Sequence, residues 1–370
     1  MSRKLLILSL TTALSASPAF AEVPRVAVDI APVHSLVTRV MDGVGAPNLV
    51  IQVGASPHEY NLRPSEAKAL QDANLVFWIG SDLTPWLADA IQTLAPNAST
   101  TALLETDGTI ELEFRESALF EAHAHDEHDD HDEDKHADHD DHGDHDEDKH
   151  ADHDDHDDHD EDKHADHDDH DDHDEDKHAD HDDHGDHDED KHADHDDHAH
   201  GAHDPHAWLS PQNAKTWLNV IASKLSAADP KNAGIYFSNA ATGQTEIDAL
   251  IAEVNVTLEP ARGMNFIVFH DAYQYFENDF DFPASGAISI GDASDPSPAR
   301  IQEIQGRISN EGIDCVLAEP QFNPGLVATV MDGSEAKTGI LDPLGAGLEP
   351  GAKLYPELIR NLSKALTNCS

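Results

Sequence analysis

Five consecutive copies of one fourteen-residue unit occupy residues 131–200 and constrain the fold of this chain more than any other feature. Each copy begins His-Asp-Glu-Asp-Lys-His-Ala-Asp-His-Asp-Asp-His, and alanine is its most apolar residue. Such a stretch cannot bury a core to offset the entropy lost on ordering, so we predict a disordered insert over 123–203. The folded part must then be built from 22–122 and 204–370.

The composition of this insert indicates metal binding. It holds 25 of the 29 histidines in the chain, and imidazole suits borderline ions such as zinc, copper and nickel. An acidic solubilising spacer is the alternative, although aspartate alone would serve that purpose. We predict weak metal sites along the insert, represented by the histidines of its first two copies: His131, His136, His139, His142, His145, His150, His153 and His156.

The first 21 residues have the pattern of a signal peptide. Arg3 and Lys4 precede an apolar run over 5–14, and a small-x-small site ends at Ala21, after which we predict cleavage. The pattern predicts export to the periplasm. The run is too short to span a bilayer and no other stretch approaches that length, so no direct membrane insertion is expected.

The net charge of −53 is also concentrated in the insert, where 40 acidic residues face five lysines. The acidic remainder argues against nucleic acid as a partner. Cys315 and Cys369 are the only cysteines, and in an exported chain a disulfide between them is the default, with a thiolate metal ligand as the alternative.

Strand and helix patterns alternate outside the insert, which predicts an α/β fold with two lobes of mostly parallel sheet. The predicted strands are Arg25–Ile30, Leu49–Val53, Leu75–Ile79, Phe266–Phe269, Ala287–Ile290, Cys315–Ala318 and Thr338–Leu341. The predicted helices are Pro64–Asp72, Pro85–Leu94, Ala233–Leu258, Asp271–Phe280, Pro298–Asn310 and Pro324–Met331. We assign 22–122 and 204–230 to an N-terminal lobe, 231–260 to a linking helix and 261–370 to a C-terminal lobe.

Three of the four histidines outside the insert suggest a metal site. His58 and His270 lie at or just after the ends of predicted strands, one in each lobe, and His206 follows the insert. Because parallel sheets bind ligands outside the carboxyl ends of their strands, we predict a cleft in which these rings hold zinc tetrahedrally. We interpret His34 as a capping or surface histidine.

Five motifs in this order resemble the metal-specific solute-binding proteins of ABC importers, and most closely their zinc-binding members: Gly54–Ser65, Asp204–Pro211, Phe269–Phe276, Cys315–Phe322 and Leu341–Gly345. The resemblance implies two (β/α)-type lobes joined by a long bridging helix, with the metal at the lobe interface. It also implies a His-rich loop before the second histidine motif, ligation by His58, His206 and His270, and a disulfide between Cys315 and Cys369.

The fourth ligand stays open between water and Asp342, which matches a carboxylate that manganese-binding relatives use. Some zinc members carry a ligating glutamate immediately before the first histidine, where this chain has Pro57. Glu59 is a poor substitute, and Glu319 is expected to support the site or pack between the lobes.

The function that follows is capture of zinc and its delivery to the membrane permease of an ABC importer by a monomeric periplasmic receptor. Three neutral imidazoles favour zinc over manganese, which prefers more carboxylate oxygen. A manganese or iron receptor, a zinc-buffering protein and a zinc hydrolase remain as alternatives.

Overall fold

Two four-stranded parallel sheets form the framework of the computed structural model, which describes residues 23–115, 120, 203–289 and 296–370. The first sheet has the order β2-β1-β3-β4 and the second the order β6-β5-β7-β8. The strands are β1 Val26–Val28, β2 Asn48–Leu49, β3 Leu75–Trp78, β4 Ser99–Ala102, β5 Phe266–His270, β6 Gly286–Ser289, β7 Cys315–Ala318 and β8 Lys337–Ile340. The predicted α/β class with two parallel-sheet lobes is confirmed.

Helices connect successive strands within each sheet, and further helices pack against them. They are α1 Ala31–Val40, α2 Pro64–Asp72, α3 Pro85–Leu94, α4 Pro211–Ala228, α5 Ala233–Leu258, α6 Gln274–Phe280, α7 Pro298–Asn310, α8 Pro324–Val330 and α9 Leu354–Cys369. Short 3-10 turns cover Ala207–Leu209, Pro230–Asn232 and Glu259–Ala261. Several helices begin with proline, whose missing N–H costs nothing in the first turn. The Ser297 hydroxyl caps α7 by accepting from Arg300 N at 3.2 Å.

The 26-residue helix α5 joins the two halves of the fold. It contacts α1 and α4, which pack with the first sheet, and α9, which contacts β8 of the second. At Gly243 an added Cβ would lie 3.0 Å from Leu218 Cδ1, so α5 packs closely on α4 at this position. The predicted helix Ala233–Leu258 has the same bounds as α5.

A disulfide between Cys315 at the start of β7 and Cys369 at the end of α9 confirms that prediction and excludes the thiolate-ligand alternative. Closing a loop across 54 positions is worth about 4 kcal/mol on the chain-entropy account. The bond fixes α9 to the second sheet. Within the described part of the chain, no helix is long and apolar enough to cross a membrane.

Some predictions of local structure were wrong or incomplete. Helix α6 begins at Gln274 rather than at Asp271, because Ala272 N donates to the His270 carbonyl at 2.9 Å in a tight turn. Strand β4 and helices α1, α4 and α9 were not among the predicted elements. The signal peptide, the repeats and the eight representative insert histidines lie outside the described residues, and the predicted domain boundaries stay a prediction.

Candidate metal centre

A small cavity lies beyond the carboxyl ends of the strands and contains all three predicted histidines. Its volume is about 20 Å³, which exceeds the roughly 10–15 Å³ that one water molecule needs but leaves little further space. The lining residues are Ser56, Pro57, His58, His206, Trp208, His270, Glu319, Gln321, Phe322, Pro343 and Leu344. The cavity therefore fits a single ion with a small ligand rather than an organic substrate.

Each histidine reaches this cavity from a different kind of element. His270 is the last residue of β5 and is buried, because β5 is a central strand of its sheet. His206 is also buried and immediately precedes the 3-10 turn Ala207–Leu209. His58 is only partly buried and lies in the loop after β2. Two ligand candidates are thus held by packed elements and one by a loop.

The spacing of the rings is close to that of a tetrahedral metal site. The ring centroids of His206 and His270 are 5.2 Å apart, and those of His58 and His206 are 5.7 Å apart. With zinc–nitrogen bonds of about 2.0–2.1 Å, each centroid would lie roughly 3.2 Å from the ion and two centroids roughly 5.2 Å apart. Among the described residues no three His, Cys, Asp or Glu side chains form a finished metal cluster. Ligation by all three rings requires the His58 ring to approach that of His206 by about half an ångström.

Buried carboxylates orient two of the rings. Nδ1 of His206 donates to Asp204 Oδ1 at 2.7 Å, and Nδ1 of His270 donates to Glu319 Oε1 at 2.6 Å. Such carboxylate–histidine pairs fix the tautomer and raise the basicity of the ligating nitrogen. The hydrogen bond between Glu319 and His270 agrees with the expectation that Glu319 supports the site. Sequence reasoning missed the pairing of Asp204, although the Asp-x-His spacing was a usable signal: the same carboxylate also accepts from His206 N at 2.9 Å.

Aromatic side chains form one wall of the cavity. The Trp208 ring lies 5.2 Å from that of His206, and its Nε1 donates to the Pro343 carbonyl at 2.8 Å. The Phe322 ring lies 5.2 Å from that of His270 and stacks on Phe269. These apolar faces limit water around the imidazoles and fix their orientation.

The structure places Asp342 beside this cavity but not among its lining residues. Its Oδ1 accepts from the backbone N–H groups of Leu344 and Gly345 at 3.1 and 2.9 Å, and its Oδ2 accepts from that of Ala346 at 2.6 Å. Gln321 Nε2 donates to Oδ1 as well, at 3.1 Å. Both oxygens of Asp342 therefore organise the loop that follows β8.

The two remaining candidates lie elsewhere. Glu59 is exposed and does not line the cavity. His34 is not a surface or capping residue, because it is buried inside α1 with its Nε2 3.2 Å from the Pro47 carbonyl. Burial lowers the pKa of His34, which favours a neutral ring that supports the fold.

An ion-pair cluster that sequence reasoning also missed lies behind His270. The Arg115 guanidinium contacts Asp271 Oδ1 at 3.0 Å and Glu277 Oε2 at 2.6 Å. Burial raises the pKa of Asp271 to about 7, and the positive charge of Arg115 opposes that rise. Arg115 lies in sequence just before the predicted insert, so nothing local pointed to a partner more than 150 positions away.

An α/β chain with two parallel sheets and an ion-sized, histidine-lined cavity at their carboxyl ends has the architecture of a solute-binding protein for a small cargo. The chain belongs to the ZnuA family, described as the periplasmic component A of the zinc-uptake complex, which matches residues 26–369. This confirms the family resemblance seen in the sequence motifs.

Curated relatives and solved structures agree with this family. High-affinity zinc uptake system protein ZnuA of Brucella abortus is 44% identical over 93% of this chain and 91% of its own length. The protein of that name from Paracoccus denitrificans is 44% identical over 98% and 97%. A ZnuA crystal structure, at 18% identity, superposes with a TM-score of 0.63 over 94% of this chain and 98% of that one. A ZnuA deletion mutant with zinc bound also has a TM-score of 0.63, at 18% identity over 94% and 97%. At such identities the superpositions support the fold alone.

Proposed function

We propose that this chain captures one zinc ion in the cavity lined by His58, His206 and His270 and delivers it to the membrane permease of an ABC importer. The observation that carries the proposal is the pair of buried imidazoles whose centroids lie 5.2 Å apart, each oriented by its own carboxylate. That distance matches two ligands of one tetrahedral zinc ion. Membership of the ZnuA family and the relatives named for zinc uptake support the same cargo.

The coordination we propose uses Nε2 of His206 and His270, because Nδ1 of each ring is bonded to a carboxylate. The loop histidine His58 completes a set of three imidazoles, and water takes the fourth position. Asp342 is the alternative fourth ligand, but it would have to give up hydrogen bonds with its own loop.

The donor set favours zinc over manganese or iron, which prefer more carboxylate oxygen. A hydrolase is disfavoured by space: a cavity of about 20 Å³ has no room for an organic substrate beside a metal-bound water. A zinc-buffering protein would need only the insert, and the built cavity in the folded part argues for a receptor. We therefore propose a transport component without catalytic activity.

The remaining parts of the proposal concern location and the insert. The mature chain would begin after Ala21 and act in the periplasm as a monomer. The insert over 123–203 would collect further zinc ions through its 25 histidines, more weakly than the cavity, where carboxylates hold two of the rings in place.

Competitive zinc titration against a chelator tests the cavity assignment. We expect mature protein without 123–202 to bind one zinc tightly; His203 is kept because it pairs with Glu113 in an isolated bridge. His206→Ala or His270→Ala should weaken binding by orders of magnitude, Asp342→Ala should weaken it less, and His34→Gln should leave it unchanged. Tight binding that survives loss of both His58 and His270 would contradict the assignment.

Calorimetry on the full-length and shortened proteins tests the insert. Additional weak sites should appear only in the full-length protein. An equal number of bound ions in the two proteins would leave the insert as a spacer.

A further inference from the structure

Gln321 lines the cavity beside His270 and Glu319 and has an amide whose orientation is fixed. It lies in the loop after β7, and its Nε2 donates to Asp342 Oδ1 at 3.1 Å. Asp342 is itself held by three backbone N–H groups, so it cannot turn away. Rotating the Gln321 amide by half a turn would place two oxygens against each other. The amide nitrogen therefore faces Asp342.

The other end of the same amide has no such partner. Gln321 Oε1 is buried and accepts no hydrogen bond from any described residue. A buried acceptor without a donor is unfavourable, so native proteins rarely keep one unless a water or a ligand satisfies it. The cavity that Gln321 lines supplies the space for one small donor.

We infer that Gln321 Oε1 accepts a hydrogen bond from the water that completes the zinc coordination, with Asp342 holding the amide in place. This inference rests on the proposed zinc site and assigns its fourth position. A water on a metal ion is a strong donor and small enough for the cavity. A carbonyl lone pair at this position attracts a water proton and repels an anion, so Gln321 selects water over anionic ligands.

The test uses Gln321→Leu in the full-length mature protein, because leucine has a similar bulk and no acceptor. Loss of one neutral hydrogen bond should weaken zinc binding about three- to tenfold at the tight site. A matched control is Gln305→Leu, which removes a partly buried glutamine on α7 whose Nε2 donates to the Thr329 carbonyl. The control should bind zinc like the wild type.

A second readout separates this assignment from general loosening of the loop. With cobalt(II) at the tight site, azide should alter the visible spectrum of Gln321→Leu at a concentration at least about tenfold lower than in the wild type, since the repelling lone pair is gone. If leucine disturbs the loop, Gln321→Met provides the same loss of acceptor with an unbranched side chain.

Two outcomes would overturn the inference. Zinc affinity and azide response both unchanged in the variants would show that Oε1 does not face the fourth position. A loss of more than about a hundredfold, with no water on the metal in a zinc-bound wild-type crystal structure, would make Gln321 itself the ligand. Failure of the proposed function is distinguishable, since wild-type protein would then lack a tight site altogether.

Discussion

The sheets of the two lobes have the same strand order. The crevice at the carboxyl ends of their two central strands is closed by the protein's own groups in one lobe and carries a candidate ligand in the other. In the first sheet, β1 and β3 flank the point where the order reverses, and Asp29 directly follows β1. Its carboxylate accepts from Ile30 N and Ile79 N, both at 2.7 Å, and closes the crevice on the protein's own backbone. In the second sheet, the equivalent strands are β5 and β7, and their ends carry His270 and Glu319. At this topological position Asp29 therefore seals the crevice of the first lobe, whereas His270 in the second lobe is a candidate metal ligand.

The three candidate ligands also differ in how firmly the structure holds them. His270 is fixed by its strand and its carboxylate, whereas His58 comes from a loop that Trp86 Nε1 secures at the Pro57 carbonyl. The wider 5.7 Å spacing involves the loop histidine. We therefore expect the His58 loop to supply the adjustment on metal binding, and the buried His206 and His270 to supply the fixed frame.

The largest effect is expected where the second lobe depends on a charge from the segment after β4. Arg115→Met removes the cation that compensates the buried carboxylates of Asp271 and Glu277. Breaking a buried pair by removing one partner costs about 3–5 kcal/mol, so the free energy of unfolding should fall by roughly that amount. Urea unfolding of the zinc-free protein at neutral pH measures it.

Arg39→Met is the matched control for that prediction. Arg39 pairs with Glu246, whose side chain is 56% exposed, and exposed pairs contribute about 0–1 kcal/mol. If Arg115→Met lowered the free energy of unfolding as little as Arg39→Met does, the buried carboxylates of the second lobe would not depend on Arg115 for their stability.

A smaller effect, on zinc affinity, should show that only the crevice of the second lobe supports the metal site. Glu319→Gln keeps an acceptor for His270 Nδ1 but removes the charge that stabilises a ligating imidazole. Losing such an outer carboxylate costs about 10–100-fold in metal affinity. Chelator competition should show this loss for Glu319→Gln, and a change of less than about twofold for Asp29→Asn in the other lobe, which lies at the seal. Comparable losses would mean that both crevices serve the site.

Local signals in the sequence explain which parts were predictable. Strands β3, β5 and β7 are short apolar runs, and α2, α3 and α7 begin at a proline, so sequence-local chemistry determines them. Strand β4, with the sequence Ser-Thr-Thr-Ala at a sheet edge, lacks an apolar run to identify it. Helix α9 does have buried residues at helical spacing, so that omission was avoidable.

The site shows the same division between local and distant signals. The three histidines stand in recognisable motifs, and the cavity contains all of them. The bond between Glu319 and His270 spans 49 positions and exists because β5 and β7 are neighbours, which strand order alone decides. The fixed amide of Gln321 depends on where the loop after β8 returns, and no pattern in the sequence indicates that.

The smallest expected change, taken per pH unit, is in the stability that the Asp29 carboxyl contributes to the first lobe. Complete burial raises the pKa of Asp29 to about 7, while the N–H donors of Ile79 and Ile30 act in the opposite direction. The unfolded value is about 3.9, so the native state binds the proton more tightly, and the contribution of Asp29 to stability falls as pH rises from about 4 to about 7. The slope for one group cannot exceed about 1.4 kcal/mol per pH unit. Urea unfolding of the zinc-free wild type and of Asp29→Asn across this range measures the effect. The free energy of unfolding of the wild type should fall relative to that of Asp29→Asn up to about pH 7, and the difference should then stay constant. A difference that shifts in favour of the wild type over the same range would mean that Asp29 is held ionised by its two N–H donors.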